Sequence, residues 1–338
     1  MNFSAATATA LIGLDWGTSS LRAFRFSTQG EVLERRQSAH GITQLPVSGE
    51  AGFAQALAQL VGDWLVAAPE APVVACGMVG SAQGWKEAAY VALPAGADRL
   101  GHLGQKVSLA GVAAHLPQLS ADVWAQRMLT ILPGLIERGP APVLPNVMRG
   151  EETQIFGALL ESDAPDDLIV LLPGTHSKWV RVQQGTVTHF DSFMTGEVFA
   201  ALKGHTILGR TMAASDAFAQ EAFARGLQVA ASHQGRNGVL STIFSTRTLG
   251  LEGQLPAEQQ ADYLSGLLIG HEVHAMASQL VQRQPLAEVP VWLIGSDALC
   301  ARYVTALQAA GITQLRTLPQ ATEAGLWSMA TASGLVAA

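Results

Sequence analysis

The sequence predicts an α/β fold built as two related lobes, and three observations lead there. Strand-like and helix-like runs are mixed in both halves of the 338 residues. That length exceeds one ordinary core and suits two domains of about 150 residues each. Finally, a glycine-hydroxyl turn near the start, Gly17-Thr18-Ser19-Ser20, recurs near the middle as Gly174-Thr175-His176-Ser177, with Gly, Thr and Ser superposing at one offset of 157 positions.

The elements follow in order. Residues 12–15 and 21–26 read as strands around the first turn, and Gln29-Gly30 turns the chain toward a third strand. Phe53, Leu57, Leu60, Val61, Trp64 and Leu65 recur at helical spacing and predict an amphipathic helix. Residues 73–78 form a short apolar run that ends in a glycine-rich loop, and a helix starts near Arg149 carrying Ile155, Leu159 and Leu160. The second half opens as the first did, with a strand over 168–172, a turn over 173–177 and a strand over 179–182. Helices are expected over 195–203, 215–225 and 257–284. A strand at 291–295 then feeds a helix at 298–310, and a closing helix runs from Glu323. No linker divides the chain, so the pattern alone sets an N-terminal lobe at 9–150 and a C-terminal lobe at 151–338.

Composition narrows the function. With 49% apolar and 14% charged residues the chain reads as a compact soluble enzyme, which excludes a disordered or fibrous protein. The net charge is −7 and no run of Lys and Arg offers a track for phosphate backbone, so nucleic acid is not an expected partner. The charge-free stretches, such as 71–85, are broken by Pro, Gly, Ser and Gln, so no membrane partner is expected either. Residues 1–10 lack a basic start and an apolar targeting segment, which makes the cytoplasm the expected location. Cys76 and Cys300 stand far apart and read as buried thiols. Oligomeric state is not legible.

Several enzyme signatures are missing: GxxxxGK[ST], GxGxxG and GxSxG do not occur. His271-Glu272-Val273-His274 superficially matches a zinc motif, but its histidines are three apart within a long helix, which favours packing or surface roles. What remains is Leu11-Ile-Gly-Leu-Asp15-Trp-Gly17-Thr18-Ser19-Ser20, an apolar strand ending in a carboxylate and a turn rich in hydroxyls. Glycine lets the backbone approach a polyphosphate, and successive N–H groups make an anion-binding concavity. Asp15 fits beside phosphate only with a divalent cation between them. The same pattern equally suits an ordinary hairpin with Asp at its turn. Gly174 and Thr175 repeat the turn without the carboxylate. Gly295 and Ser296 end a strand and open a helix, which suits contact with a nucleoside and equally suits plain strand-to-helix punctuation. Three such turns, two of them related by a repeat, favour a nucleotide cleft.

Residues 11–26, 171–182 and 291–310 resemble the two phosphate motifs and the adenosine motif of the sugar kinase, Hsp70 and actin superfamily. Over nearly its full length the chain resembles the 2-dehydro-3-deoxygalactonokinase family. The matching blocks are Ile12–Arg22, Gly77–Trp85, Asn146–Gln154, Pro173–Trp179, Met194–Glu197 and Leu264–Gly270. That resemblance implies a two-lobed actin-like (ribonuclease H-like) ATPase fold with its active site in the cleft between lobes. It also implies ATP and Mg²⁺ as cofactors and phosphorylation of 2-dehydro-3-deoxy-D-galactonate at its 6-hydroxyl. By the same resemblance Asp15 is the magnesium-linked carboxylate, and Gly17, Thr18, Ser19, Gly174 and Thr175 clamp phosphate. Gly295 and Ser296 face adenosine, although Ser296 stands where the superfamily often has glycine. Related kinases place a Gly-Asp pair where this chain has Gly150-Glu151-Glu152, which makes Glu151 the expected base, with Glu152 as substitute; both equally favour a helix N-terminus. The loop bearing Ser81, Gln83 and Trp85 resembles a sugar-contacting loop, and Arg149 or Lys86 would hold the substrate carboxylate. Trp16 suits core and site equally. Two other readings stand beside this one: a different small carbohydrate kinase of the same fold, and a non-catalytic nucleotide switch.

Overall fold

The computed structural model describes residues 8–139, 144–161, 163–319 and 321–337. They fall into two compact units, the described parts of Met1–Asp166, Val182–His189 and Gln320–Ala338 in one, and of Asp167–Arg181 and Phe190–Pro319 in the other.

The first unit opens with Leu11–Trp16 (β1), Leu21–Phe26 (β2) and Val32–Ser38 (β3), an antiparallel meander in which Asp15 lies opposite Arg22. Helix α1 (Glu50–Ala67) leads to Val73–Cys76 (β4), which pairs parallel with β1. Val91–Ala92 (β5), Gln105–Ser108 (β6), Met128–Ile131 (β7), Leu135–Glu137 (β8) and Asn146–Met148 (β9) complete its strands, with Ala97–His102 (α2) and Ala121–Gln126 (α3) between them and Glu151–Ala158 (α4) following. The main sheet runs β3-β2-β1-β4-β7-β6, and β5-β8-β9 form a small second sheet. Apart from Asp15, strand β1 is apolar because both of its faces are covered. Ile12, Leu14 and Trp16 join Phe53, Leu57 and Val61 of α1 in the core, while Gly13 lies on the other face against Phe26 and Leu326.

The second unit repeats the plan. Asp167–Leu172 (β10), Ser177–Gln183 (β11), Thr186–Phe193 (β12), Val291–Ile294 (β13) and Leu315–Leu318 (β14) form one sheet in the order β12-β11-β10-β13-β14, although the hairpin end of β11 and β12, Val182–His189, is grouped with the first unit. That is the order β3-β2-β1-β4-β7 over again, with β13 parallel to both β10 and β14. Its helices are Thr195–His205 (α5), Gln220–Ala231 (α6), Val239–Thr242 (α7), Ser245–Leu251 (α8), Gln260–Leu280 (α9) and Asp297–Ala309 (α10). The chain then returns to the first unit with Thr322–Ala332 (α11), which packs on α4, α2 and β1.

Three local readings shift. The helix expected at 215–225 starts later, at Gln220, because Asp262 on α9 accepts the Ala219 amide at 2.8 Å and fixes the entry. The helix near Arg149 ends at Ala158, leaving Leu160 exposed. The small sheet and helices α2 and α3 carry too few apolar residues at regular spacing to be seen beforehand.

Candidate active site

In a sheet with parallel neighbours, ligands gather at the carboxyl ends of the strands. At that end of β1 the first turn is closed by Gly17 N–H donating to Ser20 O at 2.9 Å. The Asp15 carboxylate, at the last turn of the strand, accepts from the guanidinium of Arg22 on β2. Beside it β4 ends in Cys76 and Gly77. A Cβ placed on Gly77 would stand 3.4 Å from Asp15 Oδ1, and one on Gly150 would stand 3.3 Å from Gly77 Cα. Asp15, Gly77 and Gly150 therefore converge, and α4 begins at that point. Burial, with the Asp15 and Glu152 charges adding to it, pushes the Cys76 thiol well up.

The two glutamates that open α4 differ. Glu151 is partly exposed and its Oε2 accepts the Arg149 amide at 3.0 Å. Glu152 is 0% exposed and both its oxygens fold back on the Gly150 amide, at 2.7 and 2.9 Å. Burial and then the neighbouring Glu151 charge push the Glu152 carboxyl up to about 8.

The loop after β4 is tight, with Gly84 N donating to Ser81 O and Ala88 N to Gly80 O. Trp85 sits largely in the core, stacked on Phe53 at 5.6 Å and edge-on to a fully buried Trp16 at 6.0 Å. Gln83 and Lys86 are exposed. Gln83 and Trp85 line a cavity of about 600 Å³ whose other wall is the stretch 42–50. Arg149 crosses beneath this loop, donating from Nη2 to Ala88 O at 2.7 Å, with its guanidinium 4.3 Å from the Tyr90 ring centroid. Its Nε and Nη1, like Ser81 Oγ, are enclosed and have no hydrogen-bond partner among the described residues.

In the second unit the turn after β10 is held from outside. A Cβ on Gly196 would come within 2.4 Å of Gly174 O and 2.8 Å of Thr175 Cα, so only glycine lets the start of α5 pack on the turn. Glu197 N donates to Thr175 O at 3.0 Å, and the Glu197 carboxylate contacts the His176 imidazole. Below the turn, Glu272 of α9 accepts from Ser177 Oγ at 2.9 Å, Trp179 Nε1 at 2.8 Å and Tyr303 Oη at 2.8 Å, and from Thr195 Oγ1. Burial raises this carboxyl, and the four donors pull it the other way. At the end of β13, a Cβ on Gly295 would lie 3.4 Å from Pro173 O, so Gly295 and Ser296 adjoin the second turn.

Within each unit some of the expected residues thus meet: Asp15 with Gly77 and the start of α4 in the first, and Gly295 with Pro173, at the head of the Gly174-Thr175 turn, in the second. Sequence reasoning passed over the stretch 40–44 and Glu272. The first carries no motif. Glu272 lay in view between two histidines, but apolar residues surround that helix nearly all the way round, so no local signal marked it as buried.

A repeated sheet order, with a glycine-hydroxyl turn closing the first strand of each unit, is the plan of the actin-like ATPase fold, which sugar kinases share. The family description 2-keto-3-deoxy-galactonokinase matches residues 15–329, and the chain belongs to that family. It is 38% identical to a Rhizobium meliloti protein whose name carries 2-dehydro-3-deoxygalactonokinase activity, over 90% of this chain and 91% of that one. It is 35% identical to the 2-dehydro-3-deoxygalactonokinase of Escherichia coli, over 89% and 90% of the two chains. A crystal structure of a Sinorhizobium meliloti protein of the same description superposes with a TM-score of 0.78 at 34% identity, covering 95% of this chain and 98% of that one.

Proposed function

We propose that the protein transfers the γ-phosphoryl group of ATP to the 6-hydroxyl of 2-dehydro-3-deoxy-D-galactonate. The observation that carries this is family membership across residues 15–329, a span that holds both phosphate turns and the loop after β4. A different carbohydrate kinase or a nucleotide switch is not favoured by relatives aligned over nine-tenths of both chains.

In this reading residues 9–150 supply the first phosphate turn and the acceptor loop, and 151–338 the second phosphate turn and the adenosine turn. Gly17, Thr18, Ser19, Gly174 and Thr175 hold phosphate through backbone N–H and hydroxyl donors. Gly295 and Ser296, at the start of the 13-residue α10, face the nucleoside. Mg²⁺ neutralises phosphate charge when bound, and such ions take one or two carboxylates plus substrate oxygens. Asp15 fits that donor set: it is a single carboxylate at the phosphate turn, and Arg22 holds it in place meanwhile.

On the acceptor side Ser81, Gln83, Trp85 and Arg149 contact the sugar acid. Support for Arg149 is a guanidinium with two unpaired nitrogens, Nη1 lying 2.8 Å from where a Cβ on Gly80 would stand; both are enclosed, so a carboxylate reaches them only if the loop gives way. Glu151 is the base, because Glu152 is wholly buried and its neighbour is not. The 6-oxygen bonds to phosphorus as the bond to the β,γ-bridging oxygen breaks. The hydroxyl proton passes to Glu151, and ADP leaves with the bridging oxygen's electron pair. The cytoplasm is the compartment in which this ATP chemistry is placed; among the described residues no helix is long and apolar enough to cross a membrane.

A coupled ADP-release assay with 2-dehydro-3-deoxygalactonate and its gluconate epimer tests the proposal. Acceptor-dependent turnover with the galactonate form is expected, and a rate no higher than with ATP alone would refute it.

A further inference from the structure

The stretch between β3 and α1 has no motif, yet it is bonded directly to the first phosphate turn. Trp16 Nε1 donates to His40 O at 2.9 Å, and Ile42 N donates to Gly17 O at 3.0 Å. Thr43 gives two bonds to one acceptor, Thr18 O, from its amide at 3.1 Å and from Oγ1 at 2.8 Å. Gly41 lies so close beneath the turn that a Cβ would come 2.3 Å from Thr18 O and 2.4 Å from Ser19 N.

Peptide geometry gives these bonds a direction. In a planar trans peptide the carbonyl of one residue and the N–H of the next point opposite ways. Fixing Gly17 O and Thr18 O toward residues 42 and 43 therefore aims the N–H groups of Thr18 and Ser19 away from that stretch. Those N–H groups are the donors the turn offers to phosphate. The same stretch continues as one wall of the cavity of about 600 Å³, with Ile42, Thr43 and Ser48 on that wall and Gln83 and Trp85 on the other. The volume lies in the range of sites for small metabolites, and Thr43, Ser48 and Gln83 are uncharged groups suited to hydroxyls.

We propose that residues 40–48 form the acceptor-side wall of the active site, and that Thr43 is a positioning residue coupling sugar-acid occupancy to the phosphate-binding amides of Thr18 and Ser19. The inference rests on the reading of the protein as a sugar-acid kinase. A ligand that packs against Thr43 steadies the carbonyl of Thr18 and with it the amide beyond. ATP and the acceptor then bind more tightly together than apart, by equal factors.

The test measures the affinity of a non-hydrolysable ATP analogue with and without saturating 2-dehydro-3-deoxygalactonate, by calorimetry, beside steady-state kinetics. The wild-type chain is expected to show a linkage of about fivefold or more. Thr43→Val, which keeps shape and loses the hydroxyl, should bring the linkage close to one, and Thr43→Ser should restore it. A second arm needs no buried change: Ser48→Phe on the exposed wall should raise KM for the sugar acid about tenfold or more while KM for ATP stays level. An active wild-type enzyme without linkage, or one whose Thr43→Val form keeps it, overturns the coupling. Unchanged acceptor kinetics in Ser48→Phe overturn the wall. A wild-type chain that phosphorylates no sugar acid strikes instead at the functional reading beneath.

Discussion

At the start of α4 two neighbouring glutamates have been given opposite surroundings, and each carries its own prediction. Glu151 is partly exposed at the point where Gly77 and Gly150 meet. Glu151→Gln keeps size and hydrogen bonding yet cannot take a proton, so kcat should fall by about 10²–10⁴. KM for ATP should hold, because the substitution leaves the phosphate donors assigned to the turns at Gly17 and Gly174 unchanged; steady-state kinetics check both values. Glu152 is enclosed, and burial pushes its carboxyl from an ordinary 4.5 up to about 8. The folded chain keeps this proton where the unfolded chain has lost it, so the group's contribution to stability is complete below about 4.5 and falls as pH rises toward 8. Glu152→Gln is neutral at every pH and should flatten that decline; thermal melts from pH 4 to 9 measure the difference. The mutant's turnover should change far less than that of Glu151→Gln. A side chain one position on points roughly 100° elsewhere around a helix.

Between elements, Glu272 ties together the structure beneath the turn at Gly174. From α9 it reaches β11 through Ser177 and Trp179, the first residue of α5 through Thr195, and α10 through Tyr303. Glu272→Leu would leave these donors buried without an acceptor, at about 1–3 kcal/mol for each one that finds no other partner. Urea denaturation should register a loss of about 3 kcal/mol or more, and KM for ATP should rise as the turn loosens. Glu272→Gln, with one carbonyl left to accept, should fall between. This tie also marks where sequence reading runs out. The strands around both phosphate turns were legible, because Gly17 and Gly174 interrupt apolar runs at one offset and leave little choice of element. The helix over 260–280 was legible from length and composition. Which face of it is buried was not, since its apolar residues surround it nearly all the way round and periodicity has nothing to select. The candidate site divides in the same way. Glycines and hydroxyls in a turn announce themselves locally, whereas the hold of Thr43 on Thr18 joins residues 25 apart through backbone groups that every sequence possesses.

For the molecule as a whole, nucleotide should act as a stabiliser. ATP bound by the native chain alone adds about 2.7 kcal/mol at a hundred times its Kd, so the melting temperature should climb with the logarithm of ATP concentration. Scanning fluorimetry across an ATP series reads this directly, and a Tm that ignores ATP would contradict the phosphate assignment. A different constraint comes from α11, which belongs to the first unit although it lies more than 150 residues beyond α4. Trp327 covers Gly30 and meets Phe26 at 5.8 Å, Leu326 covers Gly13, and Glu323 pairs with Arg35 across 288 positions. During synthesis β1 and β2 leave the ribosome long before the helix that covers their outer face. The first unit therefore cannot close until the whole of the second has been made, and until then the apolar surface around Phe26 stands open to whatever else in the cell binds unfinished chains.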